Sequence, residues 1–198
     1  VTGRLRDGEI VILGVLPGHE KAVVVEFLRL IPQRILQTIQ AVCCDLWEAY
    51  TEAVREEIPT ARIVADRFHV ARHYRDAADQ IRKTELQRLK KELSKEEYQK
   101  LNGSFRAFRK NAKDLKKEER KTLRGFFEYA PCAKQAYDFR EELTVIYDMN
   151  LSKKQAQSKI LRWILQVEES GLQCFDEFIR LLRHWWEEIT NFFIHREN

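Results

Sequence analysis

The chain has 198 residues, 44% hydrophobic and 33% charged, which is enough apolar content to bury a core beneath a heavily solvated surface. No apolar run approaches the roughly 20 residues of a membrane span, and Val1 onward shows no basic-then-apolar leader, so no membrane partner is expected and the cytoplasm is the expected location. The net charge of +4 conceals a split: residues 1–66 hold 7 Lys/Arg against 10 Asp/Glu, and residues 67–198 hold 28 against 21.

Such a split leaves two readings of the rear half, an anionic partner or lysine-rich helices that are merely soluble. The four cysteines, Cys43, Cys44, Cys132 and Cys174, are too few and too irregular for a disulfide framework, and no pair has zinc-ligand spacing. Cys43 and Cys44, inside an apolar run, are expected to be buried thiols.

In chain order, "VTGRLRDGEIVILGVLPG" places Asp7-Gly8, a hairpin turn signal, between two strand-like runs that end at Pro17-Gly18. The next segment, "HEKAVVVEFLRLIPQRI", puts Val24, Phe27, Leu28 and Ile31 on one helical face, and Pro32 halts it. "IQAVCCD" is a short run with little alternation, as expected of a central strand covered on both sides. "LWEAYTEAVREEIP" predicts a helix ending before Pro59, and "ARIVADRF" another buried strand. The order strand, strand, helix, strand, helix, strand predicts an α/β layer with at least two parallel strands.

From His69 onward glycine and proline nearly vanish, so helix follows helix. "VARHYRDAADQIRKTELQRLKKEL" can run unbroken, and Ser94 with Glu97 is a capping box for the next helix. Further helices are predicted over Phe105–Lys113, Lys116–Tyr129, Cys132–Met149, Ser152–Ser170 and Leu172–Arg196, with Ser152 as a cap and Gly171 as a stop. No linker separates these helices from the α/β part, so the two are expected to pack together.

Asp45 and Asp66 each close an apolar run. In open α/β sheets functional residues gather at the carboxyl ends of parallel strands, and a carboxylate there suits a hard divalent cation. Each acid could equally cap the helix that follows. The expectation is that both end neighbouring parallel strands with their carboxylates on one edge.

The spacing Asp45-Leu46-Trp47-Glu48-Ala49-Tyr50, the segment Pro59-Thr60-Ala61 and the run Asp66-Arg67-Phe68-His69-Val70 resemble the DDE transposases of bacterial insertion sequences. The resemblance continues through "RKTELQRLKKEL" to "WWEEITNFFIHREN", so it covers essentially the whole chain. It implies a ribonuclease H-like mixed-sheet core over residues 1–70 and a mostly helical insertion over 71–198, leading towards the final catalytic helix. Such enzymes hold two divalent metals, Mg²⁺ or Mn²⁺, with three carboxylates and perform in-line cleavage and strand transfer on DNA. Asp45 matches the second acid and would be both catalytic and a metal ligand. Asp66 and His69 match a D-x-x-H signature that shapes the site. The first aspartate should lie upstream of Val1 and the glutamate beyond Asn198; Glu197 falls too early for the pattern. The chain thus reads as an excised piece, inactive and without bound metal when isolated, of a protein whose partners are transposon-end and target DNA and further copies of itself. The rival reading is a helical protein-interaction module on a small α/β scaffold with no chemistry.

His69 and His73 also form an i, i+4 pair that can bind a transition metal or can simply be solvated. Residues 101–130 hold 9 basic against 4 acidic residues, interleaved with Phe105, Phe108, Phe126 and Phe127. Arg82, Lys83, Lys113, Lys116, Lys117 and Lys121 are the charges expected to face DNA phosphates, the alternative being a solvated amphipathic face with a phenylalanine core. Trp163, Phe175, Phe178, Trp185, Trp186, Phe192 and Phe193 recur in threes and fours, as the buried side of helices should.

Overall fold

A computed structural model describes residues 1–5 and 7–196. The hairpin expected around Asp7-Gly8 forms: β1 (Thr2–Arg4) pairs antiparallel with β2 (Ile10–Ile12), with Gly3 opposite Val11. Gly8 has φ +90°, where a Cβ would be strained, and the Glu9 N–H donates to Asp7 Oδ1 at 3.0 Å. Helix α1 (Lys21–Arg29) buries Val24, Val25 and Leu28. The chain then passes Pro32 into the short α2 (Gln33–Leu36).

β3 (Ala41–Cys44) and β4 (Arg62–Ala65) are parallel and joined by α3 (Glu48–Glu57), with Cys44 opposite Ala65. Val24, Val25 and Leu28 of α1 meet Ala53 and Val54 of α3, Ile58 and Ile63 in a small core. On its rim Lys21 pairs with Glu52 and Glu56, and Arg29 with Glu56 and Glu57. These ion pairs lie in solvent, where screening and side-chain entropy leave them little net effect, so the apolar contact dominates.

The two strand pairs are separate sheets, β1-β2 and β3-β4. The single mixed sheet expected of the resemblance is therefore not formed among the described residues: the ladders join β1 only to β2 and β3 only to β4. A second correction concerns cover. β4 is buried on both sides, but β3 is only partly covered and Cys43 is exposed rather than buried. Cys44 is half-buried, and burial pushes its thiol up to about 12, so it is no thiolate at neutral pH.

The remainder is helical. α4 (Arg67–Glu92), α5 (Lys95–Gln99), α6 (Ser104–Arg109), α7 (Lys117–Tyr129), α8 (Pro131–Asp148) and α9 (Lys153–Ser170) follow in order, with a 3₁₀ turn at Ala112–Asp114. The capping boxes at Ser94 and Ser152 are present, and Gly171 ends α9 at φ +73°. Two expected helices are shorter. The one starting at Phe105 stops at Arg109, and Leu172–Arg196 breaks into a 3₁₀ turn (Gln173–Phe175), α10 (Asp176–His184) and α11 (Trp186–Asn191). The break at Trp185 lets α10 stay on the helical core while α11 turns onto β4, where the Asn191 side-chain amide donates to the Ile63 carbonyl at 2.9 Å. Glu197 lies outside the described residues.

Tyr74, Leu89, Phe108, Phe126, Leu143, Trp163 and Phe175 are the centre of the larger core, which also takes Val64 and Ala65 of β4. The aromatic series expected as core is core, with Trp186 only partly covered. α4, about 39 Å long at ~1.5 Å per residue, runs from the strand exits deep into the helices. Arg55 of α3 meets Glu188 of α11 at 2.5 Å and ties the two regions together.

Candidate functional site

The ladder between β3 and β4 continues one step past the strands, since the Asp66 N–H donates to the Cys44 carbonyl at 2.9 Å. Asp45 and Asp66 therefore leave neighbouring parallel strands at the same edge, as the sequence predicts. Asp66 also caps α4, its Oδ1 accepting from the Phe68 N–H at 2.6 Å and the His69 N–H at 3.4 Å. Both readings of Asp66 hold at once: one oxygen is fixed by the helix and the other faces the site. Asp45 makes no such cap; Trp47 occupies the N-cap of α3 and supplies no side-chain cap.

His69, one turn into α4, points back to both acids. Its Nδ1 lies 3.0 Å from Asp45 Oδ1 and 3.4 Å from Asp66 Oδ2. Ligand atoms of all three residues lie within 4.8 Å of one another. The Nδ1 atom is shielded from solvent and has no well-directed hydrogen-bond partner among the described residues. An orphaned nitrogen between two carboxylate oxygens fits a cation better than a hydrogen-bonded cluster. Neighbouring octahedral ligands with bonds of ~2.1 Å stand about 3 Å apart, close to the 3.0 and 3.4 Å found. The donor set of two oxygens and one imidazole suits Mn²⁺ and also admits Mg²⁺.

The site opens into a cleft of about 340 Å³ lined by His19, Asp45, Leu46, Trp47, Tyr50, His69 and His73. Partial burial and the Arg72 guanidinium hold the His73 imidazole below its ordinary value. The i, i+4 histidines thus share a cleft but stand differently in it, His69 facing the acids while His73 lines the wall. A second cleft of about 540 Å³ on the other side of Trp47 is lined by Lys21, Glu48, Glu52, His184 and Trp185.

The charges expected to face DNA divide. Arg82 is buried, bonded through Nε to Asp79 at 2.5 Å, so it is unavailable to phosphate and that expectation is corrected. Lys83 is exposed but leans on the same Asp79 at 3.5 Å. Lys116, Lys117 and Lys121 are exposed on and just before α7. Lys113 is exposed and pairs with Asp148 at 2.9 Å. Asp148 also holds Arg67, the neighbour of Asp66, and the hydrogen bonds from Lys113 and Arg67 keep its carboxyl below the usual range. Lys113 and Arg67 are thereby placed on the strand-exit side of the helices. Arg67 stands inside the Asp66–Val70 run, yet its sequence context gives no sign of this link, which spans the fold.

Exchanging Lys113, Lys116, Lys117 and Lys121 for glutamate is expected to weaken duplex binding similarly on all sequences and to flatten its salt dependence. Thermal stability should change little at Lys116, Lys117 and Lys121, whose side chains are solvated, and the loss of the exposed Lys113–Asp148 pair should add only a small effect. Unchanged binding, measured by anisotropy across a salt series, would remove this surface from the DNA interface.

A search of curated proteins and a search of solved structures each returned no match. A family model described as transposase, for DDE transposases of the ISL3 type, matches residues 4–198. With two strand-exit acids and the histidine between them inside that span, the chain belongs to the ISL3 family of DDE transposases.

Proposed function

We propose that residues 1–198 form part of a ribonuclease H-like DDE transposase, with Asp45 as the second acid of its triad and a metal ligand. The convergence of Asp45, Asp66 and His69 at one edge of a parallel strand pair carries this reading. The order β1, β2, α1, α2, β3, α3, β4, with α2 a single turn, supports the ribonuclease H-like assignment, and the strand-exit position of the acids matches where α/β sheets place ligand sites. The first aspartate and the glutamate come from outside this stretch of sequence. The substrate is transposon-end and target DNA, and further copies of the chain join it in the complete enzyme.

Asp45 presents a half-exposed carboxylate to the cleft, free to meet a cation or a phosphate-bound one. Asp66 offers one oxygen already oriented by its cap on α4, so little side-chain entropy is lost on binding. His69 Nδ1 stands at cis-ligand separation from each acid and shapes the site between them. Mg²⁺ or Mn²⁺ bound there would supply Lewis acidity at a phosphoryl oxygen and a nucleophilic water for in-line displacement.

Mn²⁺ binding followed by electron paramagnetic resonance tests the reading. The parent is expected to take up Mn²⁺, and Asp45→Asn or Asp66→Asn to weaken uptake by about 10–100-fold. The chain alone is expected not to nick DNA, since it supplies one carboxylate of the three. Absence of Mn²⁺ uptake with and without duplex DNA would overturn the metal site. Robust nicking abolished by Asp45→Ala would show that the other acids are within this sequence.

A further inference from the structure

Trp47 is not among the residues grouped as possible cation ligands, and it stands where a helix cap gains nothing from it. Its side chain is 49% exposed, whereas Trp163 is fully buried and Trp185 nearly so. It occupies the N-cap of α3 without a side-chain cap, a position where Ser, Thr, Asp or Asn would bond the free helix N–H groups. An indole left in water at a helix cap is a poor choice for folding and calls for another reason.

The position supplies one. The Trp47 N–H donates to the Asp45 carbonyl at 2.8 Å, so the ring rides on the turn that presents the candidate metal ligand. Trp47, with Leu46, lines both clefts. His19 meets the indole near edge-to-face, centroids 6.0 Å apart and planes at 61°, which braces the ring from one side. The cleft beside it carries the imidazoles of His19 and His73 and the phenol of Tyr50, groups that donate and accept hydrogen bonds.

We infer that Trp47 is the stacking platform for an unpaired nucleobase of the DNA strand whose phosphate lies at Asp45. A paired base inside a duplex has both faces covered by its neighbours, so only an unstacked base can meet the indole. Stacking of this kind is tolerant of sequence, because every base offers a π face. Trp47 is then a positioning residue: it fixes the nucleoside next to the phosphate while the acids serve the phosphate itself. The inference rests on the proposed reading that Asp45 faces DNA.

The test compares a blunt duplex with the same duplex carrying a short single-stranded overhang, using the 198-residue chain in Ca²⁺, which is expected to permit binding without cleavage. The parent is expected to bind the overhang form more tightly and to change the emission of a 2-aminopurine placed in the overhang. Trp47→Ala should lose about tenfold in affinity for the overhang form, keep its affinity for the blunt duplex and abolish the 2-aminopurine response. Trp47→Phe, which keeps an aromatic face, should retain most of both signals and guards against a folding defect. Equal losses on blunt and overhang DNA, or an unchanged overhang affinity in Trp47→Ala, would overturn the platform while leaving DNA binding intact. If the parent binds neither duplex, the platform and the DNA reading of the site fall together.

Discussion

Replacing Arg140 with alanine is expected to lower stability by about 3–5 kcal/mol, the usual cost of breaking a buried charged network. Arg140 is among the largest fully buried side chains, on α8. Its guanidinium donates to the Phe108 carbonyl, to the Lys110 carbonyl at 2.7 Å and to Glu141 Oε1 at 2.6 Å. It also lies over the rings of Tyr137, at 4.3 Å, and Phe108, at 5.6 Å. The two carbonyls belong to the end of α6 and the residue after it, where helical partners run out. Arg140 therefore terminates α6 from another helix. Alanine would leave a cavity and take the guanidinium donor from the buried Phe108 carbonyl, while the Lys110 carbonyl would keep only the Tyr137 hydroxyl at 3.2 Å. Lysine should rescue little, since a single ammonium lacks the fork that spans two carbonyls. For a chain of this size the change corresponds to a fall in Tm of roughly 10 °C, read by circular dichroism. A variant within about 1 kcal/mol of the parent would mean that the carbonyls find other donors.

Much of the fold is legible in the residues. Asp7-Gly8, the two capping boxes and Gly171 act locally, through turns and helix ends that a few neighbouring atoms decide, and they stand where the sequence puts them. Asp45 and Asp66 can be matched because parallel strands joined by one helix must exit at the same edge. What local rules do not supply are the partners brought by distant chain. The break at Trp185 answers to β4, whose Ile63 carbonyl takes the Asn191 amide from 128 positions away. The burial of Arg82 is set by a charge three residues back, but nothing in a lysine- and arginine-rich helix distinguishes that arginine from its solvated neighbours until α6 closes over it. His19 enters the site only because the chain before α1 folds back beside Trp47. The apolar residues of β3 suggest a central strand, yet Cys43 is exposed; apolar composition reports what a strand can bury, not what covers it.

Asp79 is where charge withheld from DNA is used for folding, and its removal is the second large effect expected. The carboxylate is 5% exposed and faces Arg82 Nε at 2.5 Å, Arg109 at 3.2 Å and Lys83 at 3.5 Å. Phe105 sits between the two guanidinium groups, 4.5 Å from Arg82 and 5.0 Å from Arg109. Burial pushes the Asp79 carboxyl up, but the Arg82 hydrogen bond and the charges of Arg82 and Arg109 outweigh it and hold the group below its ordinary value. A carboxyl depressed in the folded state stabilises above the unfolded pKa, and that contribution is lost as pH falls through the folded one. Urea midpoints should therefore drop on acidification below about pH 4, and Asp79→Asn should flatten that part of the profile. At pH 7 Asp79→Ala is expected to cost about 3–5 kcal/mol, because Arg82 is left charged in the interior with no counter-ion. The double variant Asp79→Leu with Arg82→Met removes both charges together and should recover most of the loss, since a buried pair is often replaceable by apolar side chains of similar volume. If the double variant is as unstable as Asp79→Ala, the deficit comes from the Asp79 contacts to Arg109 of α6 and to Lys83 rather than from the stranded Arg82 charge.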